Sequence, residues 1–284
     1  MTRNGAIPLV SLPDGFRVSA LGQGTWNMGE DSTRAGAEAS ILQAGIELGM
    51  CLIDTAEMYG KGGAERVVGQ AIAGRRDQAF VVSKISPQNA SKAATARHCE
   101  ASLHRLGTDR IDLYLLHWPG PHPLADTIEA FEQLRKAGKI RYWGVSNFDA
   151  DGMAQLDGLG GGRNCATDQI LYHPAERGAE FDLLPWCRAR KIPVMAYSPL
   201  GQGGRLLRSA ALQKVARRHG AGPAQVALAW CMRDANTIAI PKASNAAHLH
   251  QNSAAVRLRL SSEDYAEIDA AYAPPQRRKP LAML

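Results

Sequence analysis

AFVVSKISPQNASKAATARHCEASLHRLGTDRIDLYLLH (79–117) reads as strand, helix and strand in one unit. AFVVSK (79–84) and IDLYLLH (111–117) are short, continuous and rich in Val, Ile, Leu and Tyr, as strands buried on both faces are. ATARHCEASLHRLG (94–107) between them is helical and stops at Gly107, the residue type expected just past a helix C-terminus. The pattern continues in both directions. VSALGQ (18–23) and CLID (51–54) precede it; IRYWGVS (140–146), ATDQI (166–170), PVMAYS (193–198) and TIAIPK (237–242) follow. Helical stretches at 37–49, 64–72, 126–138, 180–191, 209–219 and 223–234 alternate with them. Eight such units of roughly 30 residues predict an α/β fold, a closed parallel (β/α)₈ TIM barrel. An open doubly wound sheet is the competing architecture. It would carry G-x-G-x-x-G after its first strand, whereas Gly22-Gln23-Gly24 runs into Thr25, Trp26 and Asn27.

A chain of 284 residues fits one barrel domain, 1–284, with no visible linker, and residues from about 270 (APPQRRKPLAML) lack periodicity and read as a C-terminal tail. Hydrophobic residues at 45% and charged residues at 21% are those of a globular protein able to build its own core. No apolar run is long enough for a membrane helix, and Pro8, Pro13, Asp14 and Arg17 break any secretory core near the N-terminus. A cytoplasmic protein without a membrane partner is the expectation. The five cysteines are widely spread with no CxxC pair and read as reduced thiols. A net charge of +6 would permit a polyanion partner, but the longest basic run is Arg277-Arg278-Lys279. Scattered charge of this kind describes a solvated surface rather than a nucleic-acid interface.

Barrel active sites are built from groups at the C-terminal ends of the strands. Here those ends carry Asp54, Lys84, His117, Ser146-Asn147, Gln169, Tyr197-Ser198 and Lys242. One polar strand end is unremarkable; seven in succession point to a shared pocket. Tyr59 lies five residues beyond Asp54 and reaches the same rim. A phenol is a poor acid at neutral pH, but a neighbouring ammonium stabilises its phenolate, and a carboxylate keeps that ammonium charged. Asp54–Lys84–Tyr59 therefore reads as a relay that gives a proton to an oxygen becoming an alkoxide, with His117 orienting the carbonyl. Taken singly, Tyr59 reads as a rim aromatic and Lys84 as half of a structural ion pair. Hydride must come from a cofactor, since no side chain supplies one. Ser146, Asn147 and Gln169 suit a carboxamide, and Tyr197 offers a flat face to a nicotinamide. SPLGQGG (198–204), with Ser198, Leu200 and Gln202, lets backbone N–H groups approach a pyrophosphate. Trp26 and Trp118, beside strand-end residues, are expected as apolar walls of a substrate pocket.

These residues carry a resemblance to the aldo-keto reductase family over nearly the whole chain. ALGQGTW (20–26), LIDTAEMYG (52–60), VVSK (81–84), DLYLLHWP (112–119), GVSNF (144–148), Gln169, AYSPLGQG (196–203) and IPKAS (240–244) resemble its motifs. Among its branches the chain looks most like bacterial methylglyoxal-reductase-type members. The resemblance implies a catalytic tetrad of Asp54, Tyr59, Lys84 and His117 with Tyr59 as general acid. It implies NADPH held at the barrel mouth, with Gly24, Thr25 and Trp26 among its contacts, Lys242, Ser244 and Asn245 near a 2′-phosphate, and Asn252 on adenine. The expected reaction is reduction of small aldehydes, 2-oxoaldehydes especially, by a monomer or weak oligomer that needs no metal. Two departures stand out. Tyr59-Gly60-Lys61-Gly62-Gly63-Ala64-Glu65 is longer than the usual Tyr-Gly-Asn-Glu, and His248 stands where many NADPH-specific members have arginine. NADPH is still expected over NADH. The rival readings are a metal-dependent barrel hydrolase using Asp54 and His117, and a non-catalytic subunit that keeps the cofactor pocket.

Overall fold

In the computed structural model, which describes residues 6–284, the 79–117 unit is a parallel strand pair crossed over by a helix. The first five residues, part of the N-terminal stretch read above, lie outside the described residues. The barrel strands are β3 (Gln23–Gly24), β4 (Leu52–Asp54), β5 (Phe80–Ile85), β6 (Ile111–Leu116), β7 (Ile140–Ser146), β8 (Cys165–Leu171), β9 (Val194–Tyr197) and β10 (Thr237–Ala239). They hydrogen-bond in that order, all parallel. Between β10 and β3 the ring closes: Leu21 pairs with Ala239, Gly22 N donates to Ala239 O (2.8 Å) and Gly24 N to Pro241 O (3.0 Å). The glycines at 22 and 24 serve this closure. A Cβ on Gly24 would sit 2.8 Å from the carbonyl oxygen of Ile240, and one on Gly22 would sit 2.8 Å from that of Leu52.

One expectation needs correcting. VSALGQ is not a single strand: residues 17–19 form β2 (Arg17–Ser19), which pairs antiparallel with β1 (Leu9–Ser11), and the chain joins the barrel only after it, through the Leu21 bridge and the short β3. Pro13-Asp14-Gly15 makes the turn between them, with Gly15 at φ 89°. Val10, Leu12 and Val18 then join Leu52, Phe80, Val82, Leu113 and Leu115 in one inner cluster, so the hairpin plugs the barrel floor. Each such side chain withdrawn from water stabilises the fold by roughly 1.5–3 kcal/mol.

Helices surround the ring: α1 (Ala35–Glu47), α2 (Gly63–Ile72), α3 (Lys92–Leu106), α4 (Leu124–Lys136), α5 (Ala150–Asp157) and α6 (Leu183–Ala189). Two helices, α7 (Ala210–Arg218) and α8 (Pro223–Cys231), fill the interval before β10; α9 (Ala246–Ala254) and α10 (Ser262–Ala271) follow it. Their inner faces and the outward strand residues form a second, larger core that includes Trp143 and Trp230. All five cysteines are free thiols. Among the described residues no helix is long and apolar enough to cross a membrane.

Between β7 and β8 the register shifts: Trp143 faces Cys165, but Val145 faces Asp168, so β8 holds one extra residue there. Past this bulge Gln169 points into the barrel mouth and its neighbour Asp168 into the outer core. Asp168 is wholly buried, accepts one long bond from Phe148 N (3.4 Å) and leaves Oδ2 without a partner. Burial raises its pKa well above the ordinary value, opposed by the Phe148 bond. A carboxyl raised in this way binds its proton more tightly folded than unfolded, so its contribution to stability falls as pH climbs from about 4 towards the folded value. Asp168→Asn should remove that fall and stabilise the protein at pH 8 by about 1–3 kcal/mol, read by urea unfolding at pH 5 and pH 8. A variant less stable than the wild type at pH 8 would contradict this.

Candidate active site

The strand ends open into one cavity of about 640 Å³ at the C-terminal mouth of the barrel. Lys84 lies at its base. β5 delivers the side chain inward, where it is completely buried. Its three ammonium donors each meet an oxygen: Asp54 Oδ2 at 2.7 Å, Thr55 O at 2.9 Å and Tyr59 Oη at 3.3 Å. Because Tyr59 Oη accepts from Lys84, its own proton is free to point elsewhere. The second oxygen of Asp54 accepts from Gln169 Nε2 at 2.7 Å, a bond that spans the mouth from β8 to β4.

Burial is the largest influence on Lys84 and acts to lower its pKa, but Asp54 and Tyr59 outweigh it and the ammonium stays charged. Tyr59 corrects an expectation. Desolvation raises its pKa by more than the Lys84 charge lowers it, so the phenol stands above its ordinary value rather than below. It is therefore held as the acid, with the cation that would receive its phenolate already in contact. His117 packs edge-on against the Tyr59 ring, centroids 5.7 Å apart. Burial, helped by Lys84, pushes its pKa down to about 2, so it is a neutral hydrogen-bonding imidazole across the physiological range.

Ser146 Oγ donates to Gln169 O (2.8 Å), and Asn147 Nδ2 donates to Ser146 Oγ and to His117 O. Tyr197 Oη donates to Asn147 Oδ1 at 3.0 Å. Asn147 and Ser198 both sit at positive φ, 61° and 46°, which turns the chain sharply at the ends of β7 and β9. Gly24, Trp26, Trp118, Ser198, Leu200 and Gln202 all line the cavity, and so do Lys242, Ser244, His248 and Asn252. Thr25 does not. It is buried and its hydroxyl donates to Asp54 O at 2.9 Å, bracing the strand behind the carboxylate. Asn245 is also off the wall: its side chain accepts from His248 N (2.8 Å) and caps α9.

Asn27 and Met58 line the mouth without having been singled out, as do Met283 and Leu284 from the tail. Arg278 holds that tail through Asp151 (2.8 Å) and Asp182 (2.9 Å), and Leu284 N reaches Tyr197 Oη at 3.4 Å. Ionic contacts made by an aperiodic segment leave no periodic signal. The long loop after Tyr59 is held by backbone contact: Gly63 abuts Gly29 so closely that a Cβ on Gly63 would lie 2.0 Å from Gly29 O. The loop beside Trp26 and the loop beside Tyr59 are thereby locked together.

A phenolic acid on a buried ammonium–carboxylate pair, at the mouth of a parallel eight-stranded barrel, defines a carbonyl-reducing oxidoreductase site. The profile of the aldo/keto reductase family matches residues 20–273, and the chain belongs to that family. It is 50% identical to methylglyoxal reductase YeaE of Escherichia coli over 97% of this chain and 96% of that protein. A crystal structure of an aldo/keto reductase from Klebsiella pneumoniae in complex with NADP and acetate superposes with a TM-score of 0.96. That structure is 49% identical, with 98% of this chain and 100% of that chain covered. A second structure from the same organism, in complex with NADPH, matches equally well.

The pKa directions fix a pH profile. His117, with its pKa pushed down to about 2, is neutral throughout the range in which the enzyme is assayed, and Tyr59 stays protonated beyond its ordinary value near 10. The rate of carbonyl reduction should show no inflection near pH 6.5 and should fall only in strong alkali; an ionisation near 6.5 that follows His117 would contradict the assignment.

Proposed function

We propose that this protein reduces small aldehydes, 2-oxoaldehydes of the methylglyoxal kind among them, to alcohols with NADPH, using Tyr59 as the proton donor. The observation that carries the reading is the bond from Lys84 Nζ to Tyr59 Oη, with Asp54 on the same ammonium. The name of the Escherichia coli relative and the cofactors in the Klebsiella structures support it. When bound, the cofactor supplies the hydride, which no side chain can. Tyr59 gives its proton to the carbonyl oxygen as that oxygen gains charge. The Lys84 ammonium stabilises the phenolate left behind, Asp54 keeps Lys84 charged, and His117 donates a hydrogen bond to the same oxygen.

The cavity fits the cofactor. Asn252 lines the cavity and is buried with its Nδ2 unpartnered, the kind of orphaned donor a ring nitrogen would satisfy. Ser146, Asn147 and Gln169 would hold the carboxamide, Tyr197 the nicotinamide face, and Ser198, Leu200 and Gln202 the pyrophosphate. Lys242, Ser244 and His248 would surround a 2′-phosphate. Trp26, Met58 and Trp118 give the same cavity apolar walls that suit the carbon skeleton of a small carbonyl compound.

The hydrolase alternative loses its ground because both oxygens of Asp54 are already bonded, to Lys84 and to Gln169. The reading takes the chain as one barrel domain that works in the cytoplasm as a monomer or weak oligomer, without nucleic-acid or membrane partners. Loss of NADPH absorbance in the presence of methylglyoxal tests it. Tyr59→Phe should lower turnover by at least ~100-fold with NADPH affinity unchanged. Undiminished turnover in that variant would remove Tyr59 from the chemistry.

A further inference from the structure

Glu57 lies between Asp54 and Tyr59, and the proton relay does not use it. Its side chain is nevertheless saturated. Oε1 accepts from Ser86 N (2.8 Å) and Asn89 Nδ2 (2.8 Å), and Oε2 meets His98 Nδ1 at 3.0 Å. Its backbone N–H donates to Lys84 O at 3.2 Å. The side chain is only 8% exposed, and although burial works to raise its pKa, the bonds from Ser86, Asn89 and His98 outweigh that and keep it ionised. The partners come from three pieces of the lysine side of the mouth: Lys84 is the last residue but one of β5, Ser86 and Asn89 follow that strand, and His98 lies on α3.

We propose that Glu57 is a positioning residue for proton transfer: it clamps the Tyr59 segment to the end of β5 and so sets the Tyr59–Lys84 separation. Glu57 is two residues before Tyr59, and Ser86 is two residues after Lys84. The clamp therefore joins the two reacting partners across a short bracket on each chain. Tyr59 needs such a bracket. It is carried by an irregular turn, followed by Gly60 and Lys61 at φ 54° and 51°, and not by a strand. Its own backbone N–H bonds only locally, to Ala56 O at 3.2 Å. Without Glu57 the remaining ties between the segments are the bonds of Lys84 Nζ to Asp54, Thr55 O and Tyr59 Oη, Thr55 N to Val82 O and the backbone bond at residue 57 itself. All but one of those fix the start of the turn; the one that reaches the phenol is the long Lys84–Tyr59 bond whose length is being set.

The inference rests on Tyr59 being the proton donor, so its test uses Tyr59→Phe as a second background. kcat and KM for methylglyoxal and the NADPH Kd, from tryptophan fluorescence, are measured for Glu57→Ala, Glu57→Gln, Tyr59→Phe and Glu57→Ala with Tyr59→Phe. Misplacing a reacting group by about an ångström costs roughly 10–100-fold, so Glu57→Ala should lower kcat by that factor while KM and Kd hold. Glu57→Gln, which keeps an acceptor for Ser86 N and Asn89, should restore most of it. In the Tyr59→Phe background Glu57→Ala should cost nothing more, because its effect passes through the phenol. Wild-type kcat in Glu57→Ala, parallel loss of kcat, KM and Kd, or an undiminished effect in the Tyr59→Phe background each overturns the clamp. Wild-type turnover in Tyr59→Phe alone would instead overturn the proton-donor assignment. Should Glu57→Ala fail to fold, Asn89→Ala removes one contact and must show the same split with a smaller fall in kcat; no fall overturns the proposal.

Discussion

The Lys84 ammonium is a full charge with no exposed surface. Removing an ion of that size from water costs several kcal/mol even after relaxation, so it persists only where every donor is met. The barrel mouth meets this condition with a carboxylate, a backbone carbonyl and a phenol, contributed by β4 and the turn that follows it. Much else answers to the same requirement. Thr25 braces the Asp54 backbone, Gln169 takes the carboxylate oxygen that Lys84 leaves, and a bulge in β8 aims Gln169 at it.

The chemistry is a consequence of that arrangement. A phenol beside a fixed ammonium is not necessarily a strong acid; here burial keeps it protonated. What the ammonium supplies is a low-cost product state, because the phenolate forms already paired. His117 is neutral because water is excluded and the Lys84 charge opposes a second cation, whereas Tyr59 is neutral because burial outweighs the pull of that same charge. The mouth thus holds one cation and one anion, and two neutral groups able to give hydrogen bonds to an oxygen between them. The same cavity combines polar groups from Lys242 and α9 with the apolar side chains of Trp26, Met58 and Trp118.

The barrel is legible in sequence because strands buried on both faces are continuous apolar runs, and six of the eight lie within a residue or two of the runs that mark them; the last stops at Ala239, three residues short of the run TIAIPK. The first strand differs for the same reason. VSAL is apolar throughout, and periodicity does not mark where the floor hairpin ends and the barrel begins. Asp54, Lys84 and His117 could be found because polar residues at the ends of apolar runs stand out. Thr25, Asn245 and Glu57 could not be sorted that way, since capping, bracing and clamping depend on which backbone groups lie nearby. Nor can the Tyr59 acidity be settled from neighbours alone, because the removal of the phenol from water decides it. The return of Met283 and Leu284 to the mouth depends on Arg278 finding aspartates at the starts of two helices, a contact between segments far apart in the chain.

The account stands or falls on the coupling of Tyr59 to Lys84, and the phenol itself can be titrated. NMR of ring-labelled tyrosine in the cofactor-free protein, with the Tyr59 signal identified by its loss in Tyr59→Phe, follows that group directly. The phenol should remain protonated throughout the neutral range and titrate higher still when Lys84 is replaced by Met. A Tyr59 phenolate at neutral pH, or a titration that ignores the loss of Lys84, would contradict the account.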